Sequence, residues 1–358
     1  MKKKTVALLM TATMTVAALG GCGNADKAGE NVASGTEESI AETTETDGAV
    51  YKVGIVQFVD DASLNQIEAA IEKELDVKAA ELGVAFNYGD YTYNGQADST
   101  VLNQIASELV ASEVDVIVPI ATPAAMIMQN ATEENQIPVV FSAVSDPVGA
   151  GLVAGMDAPG SNITGTSDAL NTDAVMDLIF AADPDIKTLG LLYNKSEDAS
   201  KAPVEAAKAY CEAKGVNVIE KTGTTNDEIS LAADALIAGG AEAVFTPTDN
   251  TVMTAELAIY EKFIEAGVPH YGGADSFALN GAFLGYGVNY EELGTATADM
   301  IVEILVNGAD PASTAVVTLD NGIATVNTET AEAIGLEYSM FADMCTALKE
   351  IVTAEEFE

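Results

Sequence analysis

Val53-Gly54-Ile55-Val56-Gln57-Phe58 is a short apolar run rich in β-branched residues, and the segment after it, Ser63 to Leu82, is amphipathic and closed by Gly83. The first reads as a buried strand. The second reads as a helix stopped by a residue that accepts the left-handed conformation without strain. The same alternation continues outward. Val84 to Tyr88 is a second strand and Ser99 to Ala111 a second helix. Val114 to Ile120 is apolar enough to be buried on both faces of a sheet. Pro123 to Asn130 is a helix with its proline in the first turn, and Ile137 to Ala143 is a fourth strand. Strand, helix and strand at this spacing predict right-handed parallel crossovers and an open α/β sheet.

The pattern then restarts. Strands are expected at Lys187–Tyr193, Val216–Glu220, Ala243–Thr246 and Val268–Tyr271. The helices between them, Ala199–Lys214, Asp227–Ala238 and Thr251–Ala266, each end on glycine. Two doubly wound, Rossmann-like α/β lobes joined by a hinge follow from this. The expected division is 51–165 plus 276–310 for the first lobe and 166–275 plus 311–358 for the second. In the tail, Ala282–Val288 reads as a strand and Tyr290–Val306 as a helix. Ala315–Leu319 and Gly322–Val326 read as a hairpin about Asp320-Asn321-Gly322. Thr328–Ile334 reads as a short helix, and Cys345 is placed in a C-terminal one. Hinges are expected near Thr164–Thr166, Ala274–Ser276 and Gly308–Pro311.

Composition narrows the function. A chain of 358 residues exceeds what one core usually serves. It carries 56 acidic and 15 basic residues, a formal charge of −41, and every basic residue is lysine. Such a surface repels phosphate backbones, so nucleic acid is excluded as a partner. Without arginine, no guanidinium fork can grip a carboxylate. His270 is the single histidine, which argues against histidine triads and multi-histidine metal centres. No phosphate-binding loop, nucleophile elbow or dinucleotide fingerprint occurs, so neither an enzyme nor a cofactor is expected.

The N-terminus reads as an address. Lys2, Lys3 and Lys4 precede an apolar run, Thr5–Ala18, too short to span a bilayer comfortably, and Leu19-Gly20-Gly21-Cys22 follows. That tetrad resembles a bacterial lipobox. It implies that residues 1–21 are a lipoprotein signal peptide, that Cys22 is lipidated, and that the protein is held on the extracytoplasmic face of the cell membrane. Residues 22–50 are small, polar and acidic and read as a flexible tether.

Ligands of open α/β sheets sit beyond the carboxyl ends of the strands, where helix N-termini present free N–H groups. The residues following each expected strand are therefore the candidate site. In the first lobe these are Gln57, Phe58, Thr122, Pro123, Ala124, Ser142 and Ala143. In the second they are Tyr193, Asn194, Ser196, Glu197, Ser200, Thr248, Asp249, Asn250 and Asp275. Helix capping is the competing role for each hydroxyl and carboxylate among them. With no arginine, a ligand carboxylate falls to N–H groups, hydroxyls or Lys195. Asp249, with Asp275, is the expected partner of an ammonium group. Phe58, Tyr91 and Tyr193 are candidate walls for an apolar side chain, and Gly272 and Gly273 for close backbone approach. His270 and Cys211 are expected to be packed. A Cys211–Cys345 disulfide is permitted but not required by the spacing.

The blocks VGIVQFVDDASLNQ, IVPIATPAAM, IPVVFSAVSDPVGAGLV, LGLLYNKSEDAS, VFTPTDNTV and GYGVNYEELG, in this order, resemble ABC-transporter substrate-binding proteins of the tryptophan and tyrosine importer type. The resemblance runs from Tyr51 to Gly335. It implies the type I periplasmic binding protein fold, a monomer, no reaction, an aromatic amino acid between the lobes, and permease and ATPase subunits as partners. One departure stands out: Asp60-Asp61-Ala62-Ser63 occupies the place where relatives carry a His-Pro pair. A sugar or nucleoside ligand, or a membrane-tethered sensor, are the alternative readings.

Overall fold

The computed structural model describes residues 48–319 and 321–357. The expected signal segment, Cys22 and the expected tether up to residue 47 lie outside the described residues.

Two sheets organise the chain. The first holds β1 (Val50–Gln57), β2 (Ala85–Asn87), β3 (Thr92–Asn94), β4 (Val116–Ile120), β5 (Val139–Phe141), β6 (Ile163–Ser167) and, much later, β12 (Val317–Thr318). Its order is β12-β6-β5-β4-β1-β2, and every pairing is parallel. β1 is long enough to pair twice on one edge, with β2 through Val50–Lys52 and with β3 through Ile55–Gln57. The second sheet holds β7 (Thr188–Tyr193), β8 (Asn217–Thr222), β9 (Ala243–Thr246), β10 (His270–Gly272), β11 (Leu284–Gly287), β13 (Ile323–Asn327) and β14 (Ala347–Ile351). Its order is β14-β13-β11-β10-β9-β7-β8, parallel except where β13 runs antiparallel to β11.

Side-chain alternation explains how each sheet takes helices on both faces. Val53 and Ile55 of β1, with Val116, Val118 and Ile120 of β4, bury against Ile67, Ile71 and Leu75 of α1 (Ala62–Leu82). Val56 and Ile117 point the other way, toward Leu102 and Leu109 of α2 (Ser99–Ala111) and Met128 of α3 (Thr122–Thr132). The second sheet repeats this with α4 (Thr172–Ala182), α5 (Asp198–Lys214), α6 (Asn226–Ala238), α7 (Asn250–Ala266) and the short α8 (Asp275–Leu279). Leu189 and Leu191 of β7 pack with Val204 and Ala207 of α5, whereas Leu192 joins Ala233 and Leu236 of α6.

The chain crosses between sheets after β6, after β11 and between β12 and β13. After the second crossing α9 (Tyr290–Leu305) lies on α1, and Gly294 makes this close approach possible: a Cβ there would stand 2.6 Å from the Ile67 carbonyl oxygen. α10 (Thr328–Ile334) then follows β13.

Several sequence expectations change. Ala315–Leu319 and Gly322–Val326 do not form a hairpin, because β12 adds to β6 in the first sheet while β13 pairs with β11 and β14 in the second. The turn signal at Asn321 marks a crossing instead: its side-chain amide donates to the Ala169 carbonyl on the neighbouring crossing, at 2.6 Å. α8 and β11 stay with the second sheet although they fall within 276–310, and β12 belongs to the first although it falls within 311–358. The expected hinge points move accordingly. Thr164–Thr166 lies inside β6, Ala274–Ser276 opens α8, and Ala312 accepts from the backbone N–H of Gly160 within the first lobe. Cys345 precedes a strand rather than sitting in a helix, since β14 gains a full parallel ladder with β13 that outweighs local propensity. Cys211 and Cys345 are free cysteines.

Candidate ligand-binding site between the lobes

The carboxyl ends of the two sheets face each other across a narrow, nearly closed central cavity of about 10 Å³. From the first lobe, Ala121 and Thr122 after β4, Ala143 and Ser145 after β5, and Asp168 after β6 line it. From the second lobe come Ala199 at the start of α5, Thr248 after β9, and Asn250 and Met253 of α7. Ser63 and Leu64 of α1 and Tyr290 of α9 complete the wall. Among the described residues, no lysine lines it.

Four features of this wall point to a small ligand. First, Asp168 is 3 % exposed, and its carboxylate accepts from the Ser145 hydroxyl at 2.9 Å. Burial pushes its carboxyl up to about 6, with the Ser145 hydroxyl acting against the rise. Second, the Thr122 hydroxyl oxygen is buried and has no hydrogen-bond partner. Third, the helix that Thr122 opens has no side-chain cap. α5, beginning beside Ala199, has none either. Uncapped starts leave N–H groups and the positive end of the helix dipole turned toward the cavity. Fourth, the backbone is strained here. Ala121 has φ 80° and ψ 152°, and Ala143 has φ 54°, regions that residues other than glycine rarely occupy and that concentrate at functional sites.

The remaining helix starts near the crevice are occupied. Asp61 caps α1, accepting from the N–H groups of Ser63 and Leu64 at 2.9 and 3.4 Å. Asp249 caps α7 through Val252 N–H, and its other oxygen accepts from Asn194 N–H at 2.7 Å and the Ser200 hydroxyl at 2.6 Å. Burial and the neighbouring Glu197 carboxylate push the Asp249 carboxyl upward. Glu197 crosses to the same helix and accepts from the N–H groups and side chains of Asn250 and Thr251, at 2.6 to 2.9 Å.

The sequence-derived candidates therefore separate. Thr122, Ala143, Thr248 and Asn250 line the cavity. Phe58, Pro123, Asn194, Ser196 and Glu197 border a wider side crevice between the lobes, about 490 Å³, which meets the cavity at Asn250. Gln57 is buried and donates to Asn65 at 2.7 Å, and Ala124 is in the core. Ser142 is held in a buried hydroxyl trio with Thr166 and Thr297, at 2.8 to 3.2 Å. Ser200 is spent on Asp249, and the Tyr193 hydroxyl turns away to Glu220 at 2.7 Å. Lys195 is exposed. Gly273 serves the protein's own close approach, since a Cβ there would stand 2.7 Å from the backbone of Pro247 and Thr248. Asp275 binds Ser63 and Gln66 of the other lobe at 2.6 and 3.2 Å. His270 is packed as expected, bonded to Thr246 and Glu256.

Asp168, Tyr290, Leu64 and Met253 were not anticipated. Asp168 follows Ile163-Thr164-Gly165-Thr166-Ser167, a strand too polar to stand out, whose hydroxyls are buried by pairing rather than by apolar packing. Its signal is its place at a strand end, the rule that located the other candidates.

Residues 52–340 match the family of ABC transporter substrate binding proteins. The chain belongs to that family. A tyrosine-binding protein of Clostridioides difficile (strain R20291) is 31% identical over 336 residues, 94% of this chain and 93% of that one. The solved structure of an ABC domain from Streptococcus pneumoniae in complex with L-Trp is 31% identical. It covers 83% of this substrate-binding protein and 99% of that chain, with a TM-score of 0.76. The ligand-free, open structure of a substrate binding protein with adhesive properties from Clostridium difficile is 32% identical. It covers 85% and 100%, with a TM-score of 0.64.

Proposed function

We propose that this substrate-binding protein captures an aromatic amino acid between its lobes and delivers it, unreacted, to an ABC importer. The observation that carries this reading is the pairing of opposite needs in one cavity. Asp168 is a buried carboxylate without a cation, suited to an α-ammonium group. Thr122 offers an unpartnered hydroxyl at an uncapped helix start, suited to an α-carboxylate. A zwitterion satisfies both. The side chain extends into the side crevice, whose first-lobe wall is Phe58, Leu102, Pro123 and Ile127. The tyrosine-binding relative and the L-Trp complex support an aromatic side chain there.

The assignment of the ammonium passes from Asp249 to Asp168, because both oxygens of Asp249 already cap α7 and brace Asn194 and Ser200. Cys22 is the proposed lipid anchor on the extracytoplasmic face, with permease and ATPase subunits receiving the solute. Among the described residues no helix is long and apolar enough to cross a membrane. Titration calorimetry with the natural amino acids tests the ligand. Heat from L-tyrosine or L-tryptophan and none from acidic amino acids is expected; silence from every amino acid refutes the reading.

A further inference from the structure

The two lobes are tied together beside the cavity by a buried hydrogen-bonded crossing. The Ser63 hydroxyl of α1 donates to one Asp275 oxygen at 2.6 Å, and the Gln66 amide, one turn along α1, donates to the other at 3.2 Å. The Ser63 oxygen in turn accepts from Ser276 N–H at 3.1 Å. Ser63 is fully buried and Asp275 is 8 % exposed. Ser63 also lines the cavity, whereas Asp275 does not. Asp275 therefore reaches a bound solute only through Ser63.

We propose that the Ser63–Asp275–Gln66 crossing is a latch that sets how long the lobes stay closed over a bound solute. Opening the lobes breaks two buried hydrogen bonds and returns Asp275 to water; closing them needs all three groups aligned. Asp275 is thus a positioning residue, and its removal shortens residence rather than slowing capture.

The latch carries a charge problem that gives it a pH signature. Asp61, which caps α1 two residues before Ser63, is buried near Asp275, and the Tyr290 ring of α9 lies in the field of both as well as of Asp168. Asp60, Glu355 and Glu356 border the adjoining crevice, and Glu356 is bonded to Asn65 of α1 at 3.0 Å. Lys349 of β14 is the cation acting on Asp275. Burial pushes the carboxyls of both Asp61 and Asp275 up, the former to about 7. In separated lobes both face water and return toward ordinary values near 4. The closed form therefore holds more protons, and it is favoured below about pH 7 and weakened as pH rises through that value.

Stopped-flow dissociation of L-tyrosine from the full chain, with small-angle scattering of the ligand-free chain, tests the latch. Asp275→Ala is expected to raise the dissociation rate about tenfold to a hundredfold, leave the association rate within about threefold, and enlarge the radius of gyration. Asp275→Asn keeps an acceptor for Ser63 and removes one of the two raised carboxyls, so it is expected to restore slow dissociation while flattening its rise with pH relative to wild type. A purely structural role for Asp275 would not produce that flattening. If Asp275→Ala does not fold, Gln66→Ala, which breaks the other donor to Asp275 and lies outside the cavity wall, takes its place with a smaller rise in dissociation rate. A dissociation rate in these variants equal to wild type overturns the proposal. Should wild type bind no L-tyrosine, the ligand reading falls and scattering alone decides, with unchanged dimensions in both alanine variants overturning the latch.

Discussion

Replacing Asp168 with Asn should weaken ligand binding and strengthen the ligand-free fold at the same time. The side chain is 3 % exposed, and burial lifts its carboxyl from the ordinary 3.8 to about 6. That rise corresponds to about 3 kcal/mol of penalty on the charged form. The native state binds more protons than the unfolded chain between those two values. Stability therefore falls as pH rises from about 4 to about 6, and the whole penalty is present above that. Asn keeps an acceptor for the Ser145 hydroxyl but carries no charge. Allowing about 1 kcal/mol for the weaker hydrogen bond, the ligand-free variant gains about 2 kcal/mol at pH 8 and melts a few degrees higher. At pH 5 the native carboxyl is already protonated and most of the gain disappears. Toward L-tyrosine the variant loses an ionic hydrogen bond to the ammonium group, so affinity falls about tenfold to a hundredfold. Calorimetric melting at pH 5 and pH 8, with isothermal titration at pH 8, gives all the quantities. A variant that melts lower at pH 8, or that binds L-tyrosine as tightly as wild type, would refute the placement of the ammonium on Asp168.

Thr122→Val removes a buried hydroxyl that has no partner in the protein, so melting of the ligand-free chain should hold or rise slightly while L-tyrosine affinity drops about tenfold. Glu197→Ala strips the backbone N–H groups of Asn250 and Thr251 of their shared carboxylate, and chemical denaturation should show a loss of about 2 kcal/mol or more. Ala121→Gly relieves a backbone that only glycine occupies freely. It should therefore leave stability unchanged or raise it by about 1 kcal/mol, against the usual loss for this exchange, by the same denaturation measurement.

Local chemistry made much of the fold legible, and tertiary choice hid the rest. Val53–Phe58 and Val114–Ile120 are apolar on both faces, which only a sheet covered by helices on each side accommodates, and both became central strands. The Asp-Asn-Gly signal at 320–322 is equally strong locally, yet turn residues serve any sharp change of direction. Here the flanking segments, Val317–Thr318 and Ile323–Asn327, pair in different sheets. β6 escaped notice because Thr164, Thr166 and Ser167 are polar by type and are buried with their hydroxyls bonded: Thr166 to Thr297 of α9, Thr164 to the Thr314 carbonyl and Ser167 to the Ser145 carbonyl. At the site, the strand-end rule located the right region but could not separate a carboxylate that caps from one that faces a ligand. Asp249 and Asp168 both follow strands and are both buried. Only the first has backbone N–H groups of a following helix within reach of its oxygens. That difference depends on where the next helix starts, which no residue type at that position specifies.

The charge of the chain and the chemistry of the cavity answer the same constraint. A surface with 56 acidic and 15 basic residues repels free anions at long range. A zwitterion carries no net charge and approaches without that penalty. Once inside, its carboxylate needs positive potential that this chain does not supply from arginine, and among the described residues no lysine lines the cavity. Helix starts supply it from the backbone. Of the helices that begin at the cavity wall, α1, α7 and α9 have theirs capped by Asp61, by Asp249 with Glu197, and by Asn289. α3 and α5 keep theirs uncapped, one from each lobe. Leaving α3 open, with no acidic residue in its first turn, sets positive potential on the first-lobe side of the cavity, while Asp198 in the first turn of α5 offsets that of the second lobe and Asp168 is the negative pole. An anionic side chain would have to enter beside that pole and against the net charge of the protein. The selection against acidic solutes therefore arises before any contact with the side-chain wall and should weaken as salt screens the long-range field, while the preference for an aromatic side chain should not.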